Sequence, residues 1–236
     1  MYTVPLHIRL LRAVLRPIFR GIFHILSRVR IVGRENIPAK GPYLVAINHV
    51  SLFEPPFVLA FWPEALEGAG AVEIWKRPGQ AFLVRMYGGI QVHRGEYDRQ
   101  LIDQIISVLR SGKPLVLAPE GGRSHSLGMR RGLPGVAFLV EQTGVPVVPV
   151  GITGTYDEFL ADCLKGRRPS LEMRIGKPLQ LPPVEGKGAV KRAARQRNVD
   201  LIMLAIAELL PAEYHGVYAQ GMPPIDQEEN NQYDSG

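Results

Sequence analysis

Beyond its basic N-terminal segment, the chain alternates short apolar runs with stretches of helical periodicity, and this alternation constrains the fold most. Alternating strands and helices are typical of α/β domains with a largely parallel central sheet flanked by helices. The clearest helical pattern covers 98–110, with Asp98 as a candidate N-cap and Gly112 near the C-cap. Further helices are predicted over 134–142 and 189–210. The predicted strands are Tyr43–Ile47, Ala69–Ile74, Gly89–His93, Leu115–Ala118, Val145–Ile152 and Leu171–Ile175.

The length of 236 residues and the hydrophobic content of 46% fit one large domain with terminal extensions. We assign 1–32 to an amphipathic helical segment, 33–215 to the α/β domain and 216–236 to a flexible tail. The single cysteine, Cys163, cannot form an internal disulfide, which is typical of a reduced compartment. The sequence contains neither a paired-cysteine spacing nor an HExxH string, so no metal site is predicted.

The excess positive charge of the chain lies at its N-terminus. Residues 1–40 carry eight Lys and Arg against one acidic residue, whereas residues 41–236 carry 20 against 21. A sequence pI near 9.6 is compatible with nucleic-acid binding. However, the basic residues here lie on an apolar helical pattern and do not alternate with stacking aromatic residues, so nucleic acid is not a predicted partner.

This N-terminal segment has the pattern of a basic amphipathic helix. The pattern predicts neither a signal peptide nor a membrane span, because arginines interrupt the apolar run every three or four residues. We expect the helix to lie in a membrane interface with its arginines toward anionic headgroups. The alternative is a helix docked on its own domain with a solvated basic face. Pro17 is expected to kink or interrupt it. The arginines at helical spacing are Arg9, Arg12, Arg16 and Arg20.

The first candidate site motif follows the strand at 43–47. His49 lies just beyond the carboxyl end of this strand, where open α/β sheets bind their ligands. A nearby carboxylate, Glu54, would accept a hydrogen bond from one imidazole nitrogen and leave the other as a base. The alternatives are a structural histidine and a capping box formed by Ser51 and Glu54. Because Pro55 and Pro56 fit poorly inside such a helix, a helix opening at Pro55 is favoured. The motif reads Asn48-His49-Val50-Ser51-Leu52-Phe53-Glu54.

A second motif follows the strand at 115–118, and it combines a glycine turn with an arginine. Glycines allow backbone amides to approach an anion closely, and Arg123 offers a planar fork for phosphate or carboxylate oxygens. Glu120 would tether this loop by pairing with an arginine, or contribute to the polar site directly. The alternative is a tight turn with a surface arginine. The motif reads Pro119-Glu120-Gly121-Gly122-Arg123-Ser124.

Two weaker elements complete the pattern. The strand at 89–93 ends in His93 and Arg94, and Lys76 lies upstream, where its charge could face the same anion. The apolar run Val145–Val150 predicts a core strand that flanks the site.

In order and spacing, these four elements resemble the motifs of glycerolipid acyltransferases of the lysophosphatidic-acid acyltransferase type, over roughly residues 30–180. The resemblance implies that His49 is the general base for an acceptor hydroxyl and that Glu54 orients it. It implies further that Arg94 and Arg123 bind the acceptor phosphate, with assistance from Lys76. The chain departs from the family pattern at three positions. Glu54 replaces the usual Asp, His93 precedes Arg94 where an acidic or amide residue is common, and Gly122 replaces the usual Thr. The residues expected to shape the site are Asn48, Glu120, Gly121, Gly122 and Ser124.

The resemblance implies a reaction and a location. A fatty acyl group would pass from acyl-CoA or acyl-carrier protein to a lysophospholipid, first of all 1-acylglycerol-3-phosphate, giving phosphatidic acid without a cofactor. The protein would be peripheral or monotopic on the cytoplasmic face of the membrane. Without a Gly-x-Ser-x-Gly elbow, direct transfer without an acyl-enzyme is expected. The open alternatives are another acceptor (glycerol-3-phosphate, a lyso-ornithine lipid or a glycolipid), a thioesterase, or a catalytically degenerate lipid-binding protein.

Overall fold

A computed structural model describes residues 2–93, 98–124 and 126–224, which form one seven-stranded sheet with helices on both faces. Neighbouring strands are parallel except for β6 and β7, which are antiparallel. The predicted largely parallel sheet is therefore confirmed. The strands are β1 (Arg28–Val32), β2 (Leu44–Ile47), β3 (Glu67–Ala71), β4 (Ile90–Val92), β5 (Leu115–Leu117), β6 (Val147–Thr153) and β7 (Ser170–Ile175), in the spatial order β1-β7-β6-β2-β5-β3-β4.

Two helical layers cover the sheet, and the central strand β2 shows why. All four of its residues are buried, and alternate side chains point to opposite faces. Leu44 and Ala46 pack with α4, α5 and α7, whereas Val45 and Ile47 pack with α1, α2 and α6. A strand buried on both faces needs a continuous apolar run, which β2 has. The helices are α1 (Leu6–Leu26), α2 (Glu54–Phe61), α3 (Gln80–Tyr87), α4 (Arg99–Arg110), α5 (Gly135–Thr143), α6 (Phe159–Leu164) and α7 (Gly188–Ala207).

Each predicted strand and helix of the α/β domain corresponds to an observed element. Asp98 caps α4, since its Oδ1 accepts a hydrogen bond of 3.0 Å from the Leu101 N–H. Strand β1 was not predicted. It is an edge strand whose alternate residues, Arg28 and Arg30 among them, are exposed. Exposed and partly buried residues alternate along β1. The strand lies within the basic N-terminal segment, which the charge pattern assigned to a helix.

Both predicted boundaries of the α/β domain need correction. Strand β1 lies within residues 1–32, so the sheet already begins inside the N-terminal segment. At the other end, residues 216–218 form a 3₁₀ turn in the predicted tail. Tyr218 is buried there, and its hydroxyl donates a hydrogen bond of 2.8 Å to Asp200 of α7. Residues 225–236 lie outside the described part of the chain.

Three of the four arginines of α1, Arg12, Arg16 and Arg20, face the domain, which contradicts the prediction that they point toward lipid headgroups, whereas Arg9 is exposed. Arg12 is buried, and its guanidinium binds the Glu67 carboxylate with N–O distances of 2.6 and 2.7 Å. Arg16 donates to the carbonyl of Leu59 at 3.0 Å, and Arg20 to that of Trp62 at 3.2 Å. Both carbonyls lie at the C-terminal end of α2, where the helix dipole favours cations. Neither sequence alternative is therefore fully right, because the helix is docked but Arg12, Arg16 and Arg20 bind the domain and do not form a solvated face.

As a consequence, the apolar stripe of α1 faces outward. Its large side chains are between 41% and 72% exposed. The helix is continuous through Pro17, which is exposed, so the predicted interruption is absent from α1. In the described residues, no helix is both long enough and apolar enough to cross a bilayer. The stripe consists of Leu6, Leu10, Val14, Ile18, Ile22 and Ile25.

Candidate active site

The parallel strands β6, β2, β5 and β3 bring their carboxyl ends to one edge of the sheet. The loop 48–53 follows β2, and the loop 118–124 follows β5, the neighbour of β2 in the sheet. Lys76 follows β3 at the end of a short 3₁₀ segment and is exposed. Arg94, which would follow β4, lies outside the described residues. Ligand sites of open α/β sheets form at this edge.

Asn48 fixes the point at which the chain leaves β2. Its side-chain amide donates to the Ile152 carbonyl at 2.9 Å and accepts from the Ile152 N–H at 2.8 Å. These two bonds continue the β2–β6 pairing by one residue, with a fully buried side chain in place of backbone. The position of the next residue, His49, is therefore tied to the sheet.

His49 and Glu54 lie in direct contact. The distance from His49 Nδ1 to Glu54 Oε2 is 3.0 Å, with Glu54 fully buried and the imidazole 14% exposed. The Glu54 carboxylate also accepts from the Ser51 N–H, at 2.9 and 3.0 Å, and from the Thr155 hydroxyl. An ionised carboxylate can only accept, so this contact favours a proton on His49 Nδ1, and in the neutral ring the lone pair then lies on Nε2.

The turn between His49 and α2 combines two features that the sequence analysis treated as exclusive. Helix α2 begins at Glu54, one residue before the predicted start at Pro55, and both prolines lie in its first turn. In addition, the Ser51 hydroxyl accepts from the Phe53 N–H at 3.1 Å, and the Glu54 carboxylate reaches back to the Ser51 N–H. Part of a capping box is thus present. One carboxylate thus binds both the backbone ahead of α2 and the imidazole.

Glu120 links the second motif to the backbone around His49. Its Oε1 accepts from the His49 N–H at 2.9 Å, and its Oε2 accepts from the Arg130 N–H at 2.8 Å. The Arg130 guanidinium donates instead to the carbonyls of Glu120 and Gly122, at 3.1 and 2.9 Å. The predicted tether exists, but backbone amides form it and not an arginine side chain. Burial raises the pKa of Glu120, and the two N–H bonds oppose this rise.

The glycine turn is shaped by a steric requirement. Gly121 has a φ of +65°, and a Cβ atom there would lie 2.4 Å from a methyl of Leu133. Only glycine fits this position without displacement. The turn then returns to the first motif, since the Ser124 N–H donates to the His49 carbonyl at 2.8 Å. The Ser124 hydroxyl donates to the Gly128 carbonyl at 2.8 Å. Gly122, within the turn, is buried.

Arg123 lies at the rim of this loop. Its Nη1 is 3.1 Å from Oδ1 of Asp157, whose side chain is 66% exposed while that of Arg123 is 23% exposed. An ion pair at this level of exposure is worth about 0–1 kcal/mol. Arg123 is therefore held by a weak internal anion that a phosphate could displace.

Three residues that contact the site were missed by the sequence analysis. Thr155 and Asp157 follow β6, the strand predicted to flank the site, so their position after a strand end was an available signal. Arg130 lies outside any motif, and nothing in the sequence singles it out. Within the described ranges, no three His, Cys, Asp or Glu side chains cluster closely enough to hold a metal ion.

The chemistry that this arrangement allows follows from the imidazole. A neutral histidine whose Nδ1 donates to a carboxylate can remove a proton from a hydroxyl through Nε2. The carboxylate stabilises the imidazolium that then forms. Arg123 on the neighbouring loop offers a cation for a phosphate.

Comparisons with known proteins show which family and which fold the chain resembles. The sequence profile of the Acyltransferase family matches residues 28–153, more than half of the chain. A 1-acyl-sn-glycerol-3-phosphate acyltransferase of Chlamydomonas reinhardtii is 27% identical over 203 residues, which is 85% of this chain and 58% of that protein. The human 1-acyl-sn-glycerol-3-phosphate acyltransferase alpha is 30% identical over 176 residues, which is 68% of this chain and 56% of that protein.

The chain therefore spans less than three fifths of the length of these two relatives. The crystal structure of the 1-acyl-sn-glycerophosphate (LPA) acyltransferase PlsC from Thermotoga maritima superposes with a TM-score of 0.59 at 24% identity, covering 84% of this chain and 79% of that one. This likeness shows the same fold. The profile match shows that the chain belongs to the Acyltransferase family.

Proposed function

We propose that this protein transfers a fatty acyl group from a thioester donor, acyl-CoA or acyl-carrier protein, to the hydroxyl of a lysophospholipid. The acceptor that we favour is 1-acylglycerol-3-phosphate, which would give phosphatidic acid. The observation that carries the proposal is the contact of His49 with the buried Glu54, on a loop hydrogen-bonded to the one that carries Arg123. The names of the two relatives support this choice of acceptor.

In the proposed reaction, His49 Nε2 takes the proton of the acceptor hydroxyl while the hydroxyl oxygen attacks the thioester carbonyl. The new C–O bond forms, the C–S bond breaks, and the imidazolium returns its proton to the leaving thiolate. Glu54 keeps the ring in the tautomer that leaves Nε2 free and stabilises its charged form. The protein contributes no nucleophile and needs no cofactor for this sequence of steps.

The acceptor phosphate is proposed to bind at the rim of the site. Arg123 would exchange Asp157 for phosphate oxygens, which match a guanidinium in charge and geometry. Lys76 and Arg94 are proposed to assist, because the strands that precede them end at the same edge of the sheet. Gly121, Gly122 and Ser124 keep the Arg123 loop against His49.

Membrane contact is proposed through the apolar stripe of α1. A helix with a continuous apolar face can lie in the membrane interface with that face among the acyl chains. Since Arg12, Arg16 and Arg20 bind the domain, apolar burial and not headgroup charge would drive this contact. A peripheral or monotopic position on the cytoplasmic face would bring the active site to its lipid acceptor.

The function is tested by measuring thiol release from purified protein with acyl-CoA and acyl-carrier protein as donors. The acceptors are 1-acylglycerol-3-phosphate, glycerol-3-phosphate, a lyso-ornithine lipid and monoacylglycerol. We expect release that depends on an acceptor and is fastest with 1-acylglycerol-3-phosphate. Release without an acceptor would indicate a thioesterase. The absence of release with every pair would indicate a lipid-binding protein and contradict the proposal.

A further inference from the structure

The loop after β6 reaches the candidate site from a part of the chain that the family match does not cover. The match ends at residue 153, where β6 also ends. Strand β6 is parallel to β2, so the residues that follow it lie at the same edge as His49. Two of them, Thr155 and Asp157, contact candidate site residues.

Thr155 contacts the part of the site that is most deeply buried. Its hydroxyl donates to Oε1 of Glu54, and both residues are fully buried. Oε2 of the same carboxylate faces His49 Nδ1, and the Ser51 N–H bridges both oxygens. The carboxylate therefore has a donor on each side. A buried carboxylate oxygen that lacks a donor is costly, so these contacts fix its rotation.

The loop that presents Thr155 is held from the C-terminal part of the chain. The Gly154 N–H donates to the hydroxyl of Tyr214 at 3.3 Å, and Tyr214 is itself buried. Burial raises the pKa of Tyr214, so its hydroxyl stays protonated at neutral pH. The Tyr214 carbonyl accepts from the Met129 N–H at 2.9 Å. The residue that precedes Thr155 is thus tied to a buried part of the chain.

We propose that Thr155 is a positioning residue of the active site: its hydroxyl holds the Glu54 carboxylate in the rotation that keeps the His49 ring protonated at Nδ1. The proposal rests on the proposed function for its kinetic consequence, but the contact itself is independent of the reaction. Without the hydroxyl, the Glu54 carboxylate keeps only the Ser51 amide as a fixed donor. It can then rotate away from the imidazole, and the ring loses its tautomer preference.

The first test compares Thr155→Val, which has nearly the same shape without the hydroxyl, with Thr155→Ser, which keeps it. We expect Thr155→Val to lower kcat about tenfold or more, as the loss of a hydrogen bond to a charged group predicts, while KM changes less than about twofold. Thr155→Ser should stay within about threefold of the wild type. The matched control is Thr143→Val on α5, which also removes a hydroxyl bond, here of 2.7 Å to Leu139.

Folding of each variant is checked by thermal unfolding. If Thr155→Val does not fold, Thr155→Cys takes its place, because a thiol has similar volume and is a weaker donor. The expected order of kcat is Thr, Ser, Cys, Val. A kcat of Thr155→Val above half that of the wild type, or a Thr155→Ser variant as impaired as Thr155→Val, would overturn the proposal.

A double variant tests whether Thr155 acts through Glu54. On a Glu54→Gln background, adding Thr155→Val should lower kcat by less than about twofold, since residues in one hydrogen-bond network are not additive. Full additivity would contradict a positioning role. The second, activity-independent readout is the ¹⁵N shifts of the His49 ring, which distinguish the two tautomers. These shifts should change in Thr155→Val and not in Thr143→Val.

The two proposals fail in different ways. If the wild-type protein releases no thiol with any acceptor, the proposed function is wrong, and the ring shifts alone decide the role of Thr155. If the wild type is active and Thr155→Val keeps more than half of its kcat, only the positioning role is wrong.

Discussion

Arg12 and Glu67 form a bidentate ion pair with N–O distances of 2.6 and 2.7 Å, and both side chains are buried. The pair joins α1 to β3. The Arg12 Nε also donates to the Tyr87 carbonyl at 2.8 Å, and its guanidinium lies over the ring of the same residue. Tyr2 donates to the Glu67 carboxylate at 2.8 Å. The N-terminal helix is thus an integral part of the domain.

Replacing Arg12 by Ala should lower the free energy of unfolding by about 3–5 kcal/mol, because it leaves Glu67 buried without its cation. The control is Arg9→Ala, an exposed arginine on the same helix, which should change stability by less than about 0.5 kcal/mol. Urea unfolding of both variants measures the difference. Equal stabilities of the two variants would contradict the buried pair.

Glu120 should make a contribution to the free energy of unfolding that decreases as the pH rises. Burial raises the pKa of Glu120, so the folded state holds its proton more tightly than the unfolded state. Its contribution to stability is then complete below the ordinary carboxyl pKa and is lost as the pH rises through the raised value. Relative to Glu120→Gln, which does not titrate, the free energy of unfolding of the wild type should fall as the pH rises through this window.

Glu141 provides a control of opposite sign for this experiment. A side-chain bond from Arg195, and a second from Lys191, lower the pKa of Glu141. Its contribution is present above the ordinary carboxyl pKa and is lost as the pH falls. Stability relative to Glu141→Gln should therefore rise with pH. Urea unfolding at a series of pH values measures both slopes, and equal signs would refute the assignment for Glu120.

The pair of Arg123 with Asp157 should compete with phosphate binding. Replacing Asp157 by Ala frees the guanidinium and should lower KM for 1-acylglycerol-3-phosphate by up to about fivefold, the equivalent of an exposed ion pair. Replacing Arg123 by Ala should raise this KM about tenfold or more. Monoacylglycerol, which lacks phosphate, is the control acceptor. Equal effects of each variant on both acceptors would argue against phosphate binding by Arg123.

The apolar stripe of α1 should control binding to vesicles. Replacing Ile18 by Glu should weaken partitioning to phosphatidylcholine vesicles about tenfold or more, because one buried Ile side chain contributes about 1.5–3 kcal/mol. Leu201→Glu, at an exposed position of α7, should bind like the wild type. Cosedimentation measures both. Unchanged binding of Ile18→Glu, or release of the protein by moderate salt, would contradict an apolar contact.

The sequence predicted the strands that are buried on both faces, because these need continuous apolar runs. Strands β2 and β6 are of this kind. Strand β1 was not predicted, because an edge strand tolerates charges at alternate positions and the arginines of β1 continue the charge pattern of the preceding helix. Its alternation of arginine with apolar residues was nevertheless a usable signal.

Two features of the structure, one in α1 and one in the site, could not be predicted from local patterns. Helical periodicity identifies which residues share a face of α1, but the partners that turn three of its arginines inward lie 40 to 75 positions away along the chain. Thr155 and Glu54 are 101 positions apart, and only the β2–β6 pairing brings them together. The contact of His49 with Glu54 was predictable, because five residues around a proline-limited turn leave few other arrangements.

The proposed role of His49 as general base is tested most directly by His49→Ala in the thiol-release assay with 1-acylglycerol-3-phosphate. We expect kcat to fall about 10²- to 10⁴-fold, the usual contribution of general base catalysis, while urea unfolding and vesicle binding stay close to those of the wild type. His7→Ala, an exposed histidine on α1, is the control and should keep full activity. A folded His49→Ala protein that retains more than about a tenth of wild-type kcat would contradict the base role.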